Sequence, residues 1–200
     1  MAGTATRLIA DWTTDQGPRH TLYGQVKGLV LRWLNEAQLR FVDKSEILEK
    51  VWEPTLSSDG YIQLPDDFLR DGVVKWEADK FLRKGDYGLL NTVSLSATLY
   101  YAIYAGKLYV FKAAAGSPTI TYLRKPDEIV AGTLANADLE LPSEYHAHLL
   151  TYMDAMFARR NNDLATWKAL MKDFDQEATA AGIEYRQRRQ GVRFMEGGVL

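Results

Sequence analysis

Along residues 21 to 43, apolar side chains return every three or four positions: Leu22, Val26, Leu29, Val30, Trp33, Leu34, Ala37 and Phe41. Lys27, Arg32, Glu36 and Arg40 fall mostly on the other side, so the spacing predicts an amphipathic helix with one buried face. Gly24 and Gly28 each weaken that helix by about 1 kcal/mol relative to alanine, or mark the close approach of another helix. The stretch before it, Met1 to Arg19, has no readable period and carries the breaker cluster Gln16-Gly17-Pro18.

Beyond Lys50 the period switches to two. Trp52 to Ser57 and Tyr61 to Leu64 flank Ser58-Asp59-Gly60, which predicts a hairpin. Pro65 suits a first helical turn, and Asp66 and Asp67 suit its positive end. Gly72 to Glu77 reads as a strand, and the charged Asp79 to Asn91 as an excursion or long loop. Thr98 to Tyr104 and Lys107 to Lys112, joined by Ala105-Gly106, predict a second hairpin, with Thr119 to Arg124 as a further strand. Aromatic and β-branched residues on both alternating faces of these strands point to cover on both sides.

Lys125 to Glu140 predicts a connecting loop, and Pro142 opens a helix with Glu144 in its first turn. Its buried stripe is Tyr145, Leu149, Tyr152, Met153, Met156 and Phe157. Asp163 is a good N-cap for a last helix with the stripe Leu164, Trp167, Leu170, Met171, Phe174, Ala178 and Ala181. So short a link predicts an antiparallel helical hairpin. Beyond Tyr185 an arginine-rich end reads as an arm. The fold class is α+β: a helical domain over 21–185 with a β-rich insertion at about 52–125, an N-terminal segment 1–20 and a C-terminal arm 186–200.

Composition narrows the chemistry. With 46% hydrophobic and 25% charged residues, the 200-residue chain can build a core. A formal net charge of -2 provides no global field toward nucleic acid or an anionic membrane. The absence of cysteine removes disulfides and thiolate chemistry, and no apolar run reaches signal-peptide or membrane-span length, so synthesis in the cytosol is expected.

His146 and His148 sit two apart, about 200° around a helix, and His20 has no ligand-rich neighbours, so no metal is expected. Asp66-Asp67 and Glu140/Glu144 read as caps at helix starts rather than acid-base pairs. Neither a nucleophile turn nor a phosphate loop is present, and Gly85-Asp86-Tyr87-Gly88 lies in a loop. No catalytic constellation and no cofactor follow.

Two surfaces remain. Tyr100, Tyr101, Tyr104, Tyr109, Phe111 and Tyr122 suit core packing or a subunit or tail interface, or in principle a stacking platform for single-stranded nucleic acid. Only Lys107, Lys112 and Arg124 supply cations there, few for a nucleic-acid platform. Arg186, Arg188, Arg189 and Arg193, with Phe194, Met195, Val199 and Leu200, suit a docking arm, a helix end decorated with cations, or a DNA-phosphate contact.

Four stretches in order carry a resemblance: Trp33-Leu34-Asn35-Glu36-Ala37-Gln38, Leu64-Pro65-Asp66-Asp67-Phe68-Leu69, Tyr100 to Tyr109 leading through Ile120 to Pro126, and Leu141-Pro142-Ser143-Glu144-Tyr145-His146. Their order and spacing, from about residue 20 to residue 180, resemble the head-to-tail adaptor (connector) proteins of tailed bacteriophages. The pattern does not cover Asp79 to Asn91 or the tail beyond Arg186. The resemblance implies a non-enzymatic virion protein of the neck, assembled in the host cytoplasm. It implies a homo-oligomeric ring, usually of twelve copies, between the portal protein and a tail or nozzle protein, with double-stranded DNA passing through. It also implies portal docking by residues 186–200. A nucleic-acid-binding accessory protein is the alternative from the tyrosine strands and arginine tail. A hydrolase with a scattered site has no residue pattern in its favour.

Overall fold

A computed structural model describes residues 3–14, 24–56, 59–76, 80–90, 100–111 and 117–196, with backbone only at 89–90 and 190–196. The chain divides into two compact units, one of residues 1–48 and 126–200, the other of residues 49–125.

The first unit is helical: α1 Thr4–Thr14, α2 Lys27–Ser45, α3 His146–Arg160 and α4 Leu164–Glu196. The segment without readable period contains α1. Its buried positions Ala5, Leu8, Ile9 and Trp12 follow the three-four spacing of one helix face. Trp12 sets its ring edge-on to Trp33 at 6.3 Å and to Phe157 at 6.0 Å, and its Nε1–H donates to Asp154 Oδ1 at 2.7 Å. An aromatic packed on two others and satisfied at its polar tip is a strong anchor.

The helix expected over 21 to 43 is α2, 27–45, with residues 21–23 outside the described residues. It ends where Glu46 takes φ 60 and its N–H bonds Val42 O. Trp33 is core, and Phe41, fully buried, meets Tyr145 at 5.6 Å, His148 at 5.9 Å and Phe174 at 6.0 Å. No close approach occurs at Gly24 or Gly28, where an added Cβ meets nothing within 4 Å. Gly182 of α4 has that role instead: a Cβ there would run into the Ser45 backbone.

Asn161 to Asp163 turn the chain between α3 and α4. Asn162 has φ 60, and Asp163 Oδ1 accepts the Thr166 N–H at 3.0 Å, the expected N-cap. The two helices meet in opposite order, Arg159 over Trp167, Tyr152 on Phe174, His148 on Glu177 and Glu144 on Arg188, so the antiparallel hairpin is present. The predicted stripe on α4 is buried only in part. Leu164 is exposed, Trp167, Leu170 and Met171 are half-buried, and full burial begins at Phe174.

The described residues of the second unit form eight strands in two four-stranded sheets. Glu49–Trp52 (β1), Phe68–Trp76 (β3), Lys80–Phe81 (β4) and Thr119–Arg124 (β8) form the first, in the order β1-β8-β3-β4. Tyr61–Gln63 (β2), Arg83–Lys84 (β5), Tyr100–Tyr104 (β6) and Lys107–Phe111 (β7) form the second, in the order β2-β7-β6-β5. Ile62, Tyr101, Leu108 and Val110 of the second sheet share one core with Val74, Trp76, Ile120 and Tyr122 of the first. The unit is a two-layered β-sandwich.

Several sequence expectations change here. β1 and β2 do not pair across Ser58-Asp59-Gly60; β1 pairs with β8 and β2 with β7. A turn signal says where the chain bends, not which strand receives it. Leu64 to Asp67 opens no helix: a turn closed by Phe68 N–H to Pro65 O at 3.0 Å leads into β3. The excursion contains β4, β5 and a helical turn at Tyr87–Leu90, with Leu82 buried between the two short strands; Asn91 and Asp79 lie outside the described residues. The β6–β7 hairpin is as predicted, with Ala105 at φ 48 and Gly106 at φ 73 in its two-residue turn.

Candidate assembly surfaces

The segment Pro65-Asp66-Asp67-Phe68-Leu69-Arg70-Asp71 supplies two half-buried anchors of one design. Asp67 accepts the Tyr122 hydroxyl at 2.7 Å and Lys50 Nζ at 2.9 Å; Asp71 accepts the Tyr101 hydroxyl and Lys84 Nζ, each at 2.7 Å. Asp67 ties three strand segments of the first sheet, and Asp71 ties the first sheet to the second. Burial pushes each carboxyl up, yet the hydrogen bonds from its tyrosine and lysine outweigh that, so both lie below the ordinary aspartate value. Burial, and then the neighbouring carboxylate, push the Tyr101 phenol far up.

Two register shifts in β3, after Phe68 and after Asp71, insert Leu69 and Gly72 as extra residues opposite β8. Gly72 is required at its bulge, because a Cβ would lie 2.9 Å from Thr121 O.

These anchors divide the six aromatic candidates. Tyr101 and Tyr122 face the core and are closed to a partner. Tyr104, Tyr109, Tyr100 and Phe111 lie on the other face of β6 and β7, given by the pairs Ala102 with Tyr109, Tyr104 with Lys107 and Tyr100 with Phe111. The strands thus alternate between a core face and an outer aromatic face. Tyr61 and Tyr87, not singled out from the sequence, complete the outer face: Tyr61 lies 5.9 Å from Tyr109, and Tyr87 stacks on Tyr104 at 4.8 Å and 9° and meets Tyr109 at 4.7 Å. Lys107 Nζ sits 3.9 Å above the Tyr61 ring.

The arginine-rich end continues α4 as helix through Glu196. Arg186 bonds Glu46 at 2.7 Å, and Arg188 bonds Glu144 at 2.9 Å and Glu184 at 2.6 Å. Arg186 and Arg188 thus strap α4 to the end of α2 and the start of α3, and Arg189 also has a partner. Arg193, Phe194 and Met195 fall where only backbone is described, and Val199 and Leu200 lie outside the described residues.

A family model described as SU10 adaptor protein matches residues 2–194. The chain belongs to the SU10 adaptor protein family. No curated protein matches it. The match spans both the helical unit and the inserted sandwich, and the role it carries is that of a structural phage adaptor in the virion neck, associated with other head and tail proteins. Nothing favours the accessory nucleic-acid reading: two of its six rings are interior, and Arg186 and Arg188 already pair with carboxylates.

Several further polar groups of the adaptor hold its fold together. Asn35 Nδ2 donates to Ile129 O at 2.9 Å and Asn35 Oδ1 accepts the Ile129 N–H at 3.0 Å, so one side chain holds the loop as a strand partner would. Arg40 grips Asp175 through two bonds, at 2.9 and 2.8 Å, and that hydrogen bonding holds the Asp175 carboxyl below its ordinary value. Glu140 takes the Asp127 N–H, His146 Nε2 meets Leu141 O, and Glu144 bonds Arg188. Among the described residues no three His, Asp or Glu side chains gather as a metal set, and no helix is long and apolar enough to cross a membrane.

Proposed function

We propose that this adaptor joins the portal to the tail: copies arranged as a ring, twelve in number, continue the DNA channel between a portal protein and a tail or nozzle protein. The observation that carries the reading is the family match over residues 2–194, which takes in helical unit and sandwich together. The absence of any large net charge suits it, since a conduit for DNA must let the duplex slide rather than hold it.

Residues 186–200 dock on the portal in this reading. The paired Arg186 and Arg188 brace the emerging helix, and Arg193, Phe194, Met195, Val199 and Leu200 reach the partner with cationic and apolar side chains. Electron microscopy of the full chain mixed with the portal protein of the same phage tests the joint. A new ring layer on the tail-facing end of the portal is expected, and portals without added density reject the reading. A chain ended after Tyr185 is expected to bind the portal at least about tenfold more weakly, whereas undiminished binding removes the docking role of the end.

A further inference from the structure

Up to Gly182, α4 is held by burial: Phe174, Ala178 and Ala181 lie in the core, and Gly182 meets the Ser45 backbone. Its neighbours stop there, for α2 ends at Ser45 and α3 begins at His146. From Ile183 to Arg189 no side chain is buried and only Tyr185 is half-buried, yet the helix runs on to Glu196. A helical end without a packed apolar face is marginal in water. The stripe that is apolar as far as Gly182 continues, four and seven residues on, with Arg186 and Arg189.

Two carboxylates of the helical unit receive these turns. Glu144 accepts Arg188 at 2.9 Å from the turn Ser143–Tyr145, and Glu46 accepts Arg186 at 2.7 Å from the end of α2. Glu144 has a local reason for its place, because the start of α3 favours a carboxylate. The end of α2 offers Glu46 no such reason. There the helix dipole favours a cation, such as Lys44, and opposes an anion. The backbone of Glu46 is also left-handed, with φ 60 and ψ 29, the conformation that glycine ordinarily supplies just past a helix. Glycine would close α2 through the same N–H bond to Val42 O. It would bring no carboxylate to Arg186.

We infer that Glu46 is a positioning residue for docking of the C-terminal arm: its carboxylate holds Arg186 so that the last turns of α4 leave the helical unit as a formed helix in a fixed direction. The inference rests on the portal-docking reading of residues 186–200 and names what aims them. An arm already formed and aimed loses less freedom on binding than a loose end, so Glu46 strengthens docking without touching the partner.

Glu46→Gly separates this role from a purely structural one, since it eases the backbone at the end of α2 while removing the carboxylate. The full-length variant is expected to melt at the parent's temperature or higher. Its amides over 186–196 are expected to exchange about three- to fivefold faster, and its binding to the portal protein to weaken by about the same factor. Glu46→Gln, which keeps the reach and loses the charge, should change exchange and binding in the same direction. The reversed pair, Glu46→Arg with Arg186→Glu, should restore slow exchange, and its failure to do so would deny that this pair holds the arm. A lower melting temperature with arm exchange and portal binding unchanged would assign Glu46 to the fold alone and overturn the inference. Faster exchange with undiminished portal binding would overturn it as well. The chain ended after Tyr185 then tells the two readings apart: weak binding by that chain leaves portal docking standing without the aiming role, and undiminished binding removes both.

Discussion

The helical unit and the sandwich hold themselves together by different means. In the helical unit, large rings interlock: Trp12 on Trp33 and Phe157, Phe41 on Tyr145 and Phe174, Tyr152 on Phe174. In the sandwich, two aspartates on one short segment each collect a tyrosine and a lysine, Asp67 pinning strands of the first sheet and Asp71 pinning the two sheets together. The contrast has a geometric origin. A helix satisfies its own backbone and needs only apolar contact with its neighbours, while short strands are weakly specified in register and profit from polar pins that accept one alignment. The same contrast assigns different sensitivities to the two units.

The largest effect is expected in the helical core. Phe41→Ala removes a fully buried ring that touches three other rings, and should cost about 3–5 kcal/mol in denaturant unfolding. A loss no larger than that of a surface change would show that the ring cluster does not govern this unit. Next comes Gly182→Ala, where a methyl group must displace the Ser45 backbone; about 1–3 kcal/mol is expected in the same measurement.

Asp71→Asn probes the other mechanism. It weakens the hydrogen bonds to Lys84 and Tyr101 while keeping the shape, and about 1–2 kcal/mol is expected from hydrogen exchange of the β3 and β8 amides, with the helical amides unmoved. The sign of its pH dependence follows from the lowered carboxyls. Their folded values lie below the ordinary aspartate value, so their stabilisation is complete above that value and is lost as pH falls through the folded values. The sandwich amides should therefore lose protection in acid, below about pH 4, and the Asp71→Asn variant should lose less. Equal acid sensitivity of variant and parent would remove Asp71 from the account.

Asn35→Ala should cost about 1 kcal/mol, read as faster exchange of the Ile129 amide with little change elsewhere. The smallest effect belongs to Arg32→Ala. Its bond to Glu36 lies in solvent, and no measurable change in melting temperature is expected.

Legibility in the sequence followed the same divide. The stripe of α2, the Asp163 cap and the antiparallel hairpin were readable, because each is set by residues close in the chain; the stripe of α3 was readable as far as Met153, beyond which Ala155 and Ala158 are buried and the predicted Met156 and Phe157 only half-buried. The helix α1 was overlooked although Ala5, Leu8, Ile9 and Trp12 carry its period; with only Arg7 and Asp11 as charged residues in its span, no charged face marked the other side. On α4 the stripe was visible, but its first half has too few neighbours to be buried. In the sandwich the strands at 100–104, 107–111 and 119–124 were readable and their partners were not. β1 and β8 are some seventy residues apart, and only the folded core brings them together. The tyrosines could be counted in sequence but not sorted, because the register that turns Tyr101 and Tyr122 inward and Tyr104 and Tyr109 outward comes from strand pairing and the bulges of β3.

The sequence by itself determined the class of this adaptor, its helical frame with a β insertion, and the ordered motifs that resemble phage adaptors. Those features rest on local periodicity and on the order of elements, which any reading of the chain retains. The tertiary structure alone decided which strands meet, that Asp67 is a pin rather than a helix cap and Asp71 a second one, and which aromatic rows are left facing outward. Each of these depends on contacts between residues far apart in the chain, and the chain energy that selects them exists only once both sheets have closed on a common core.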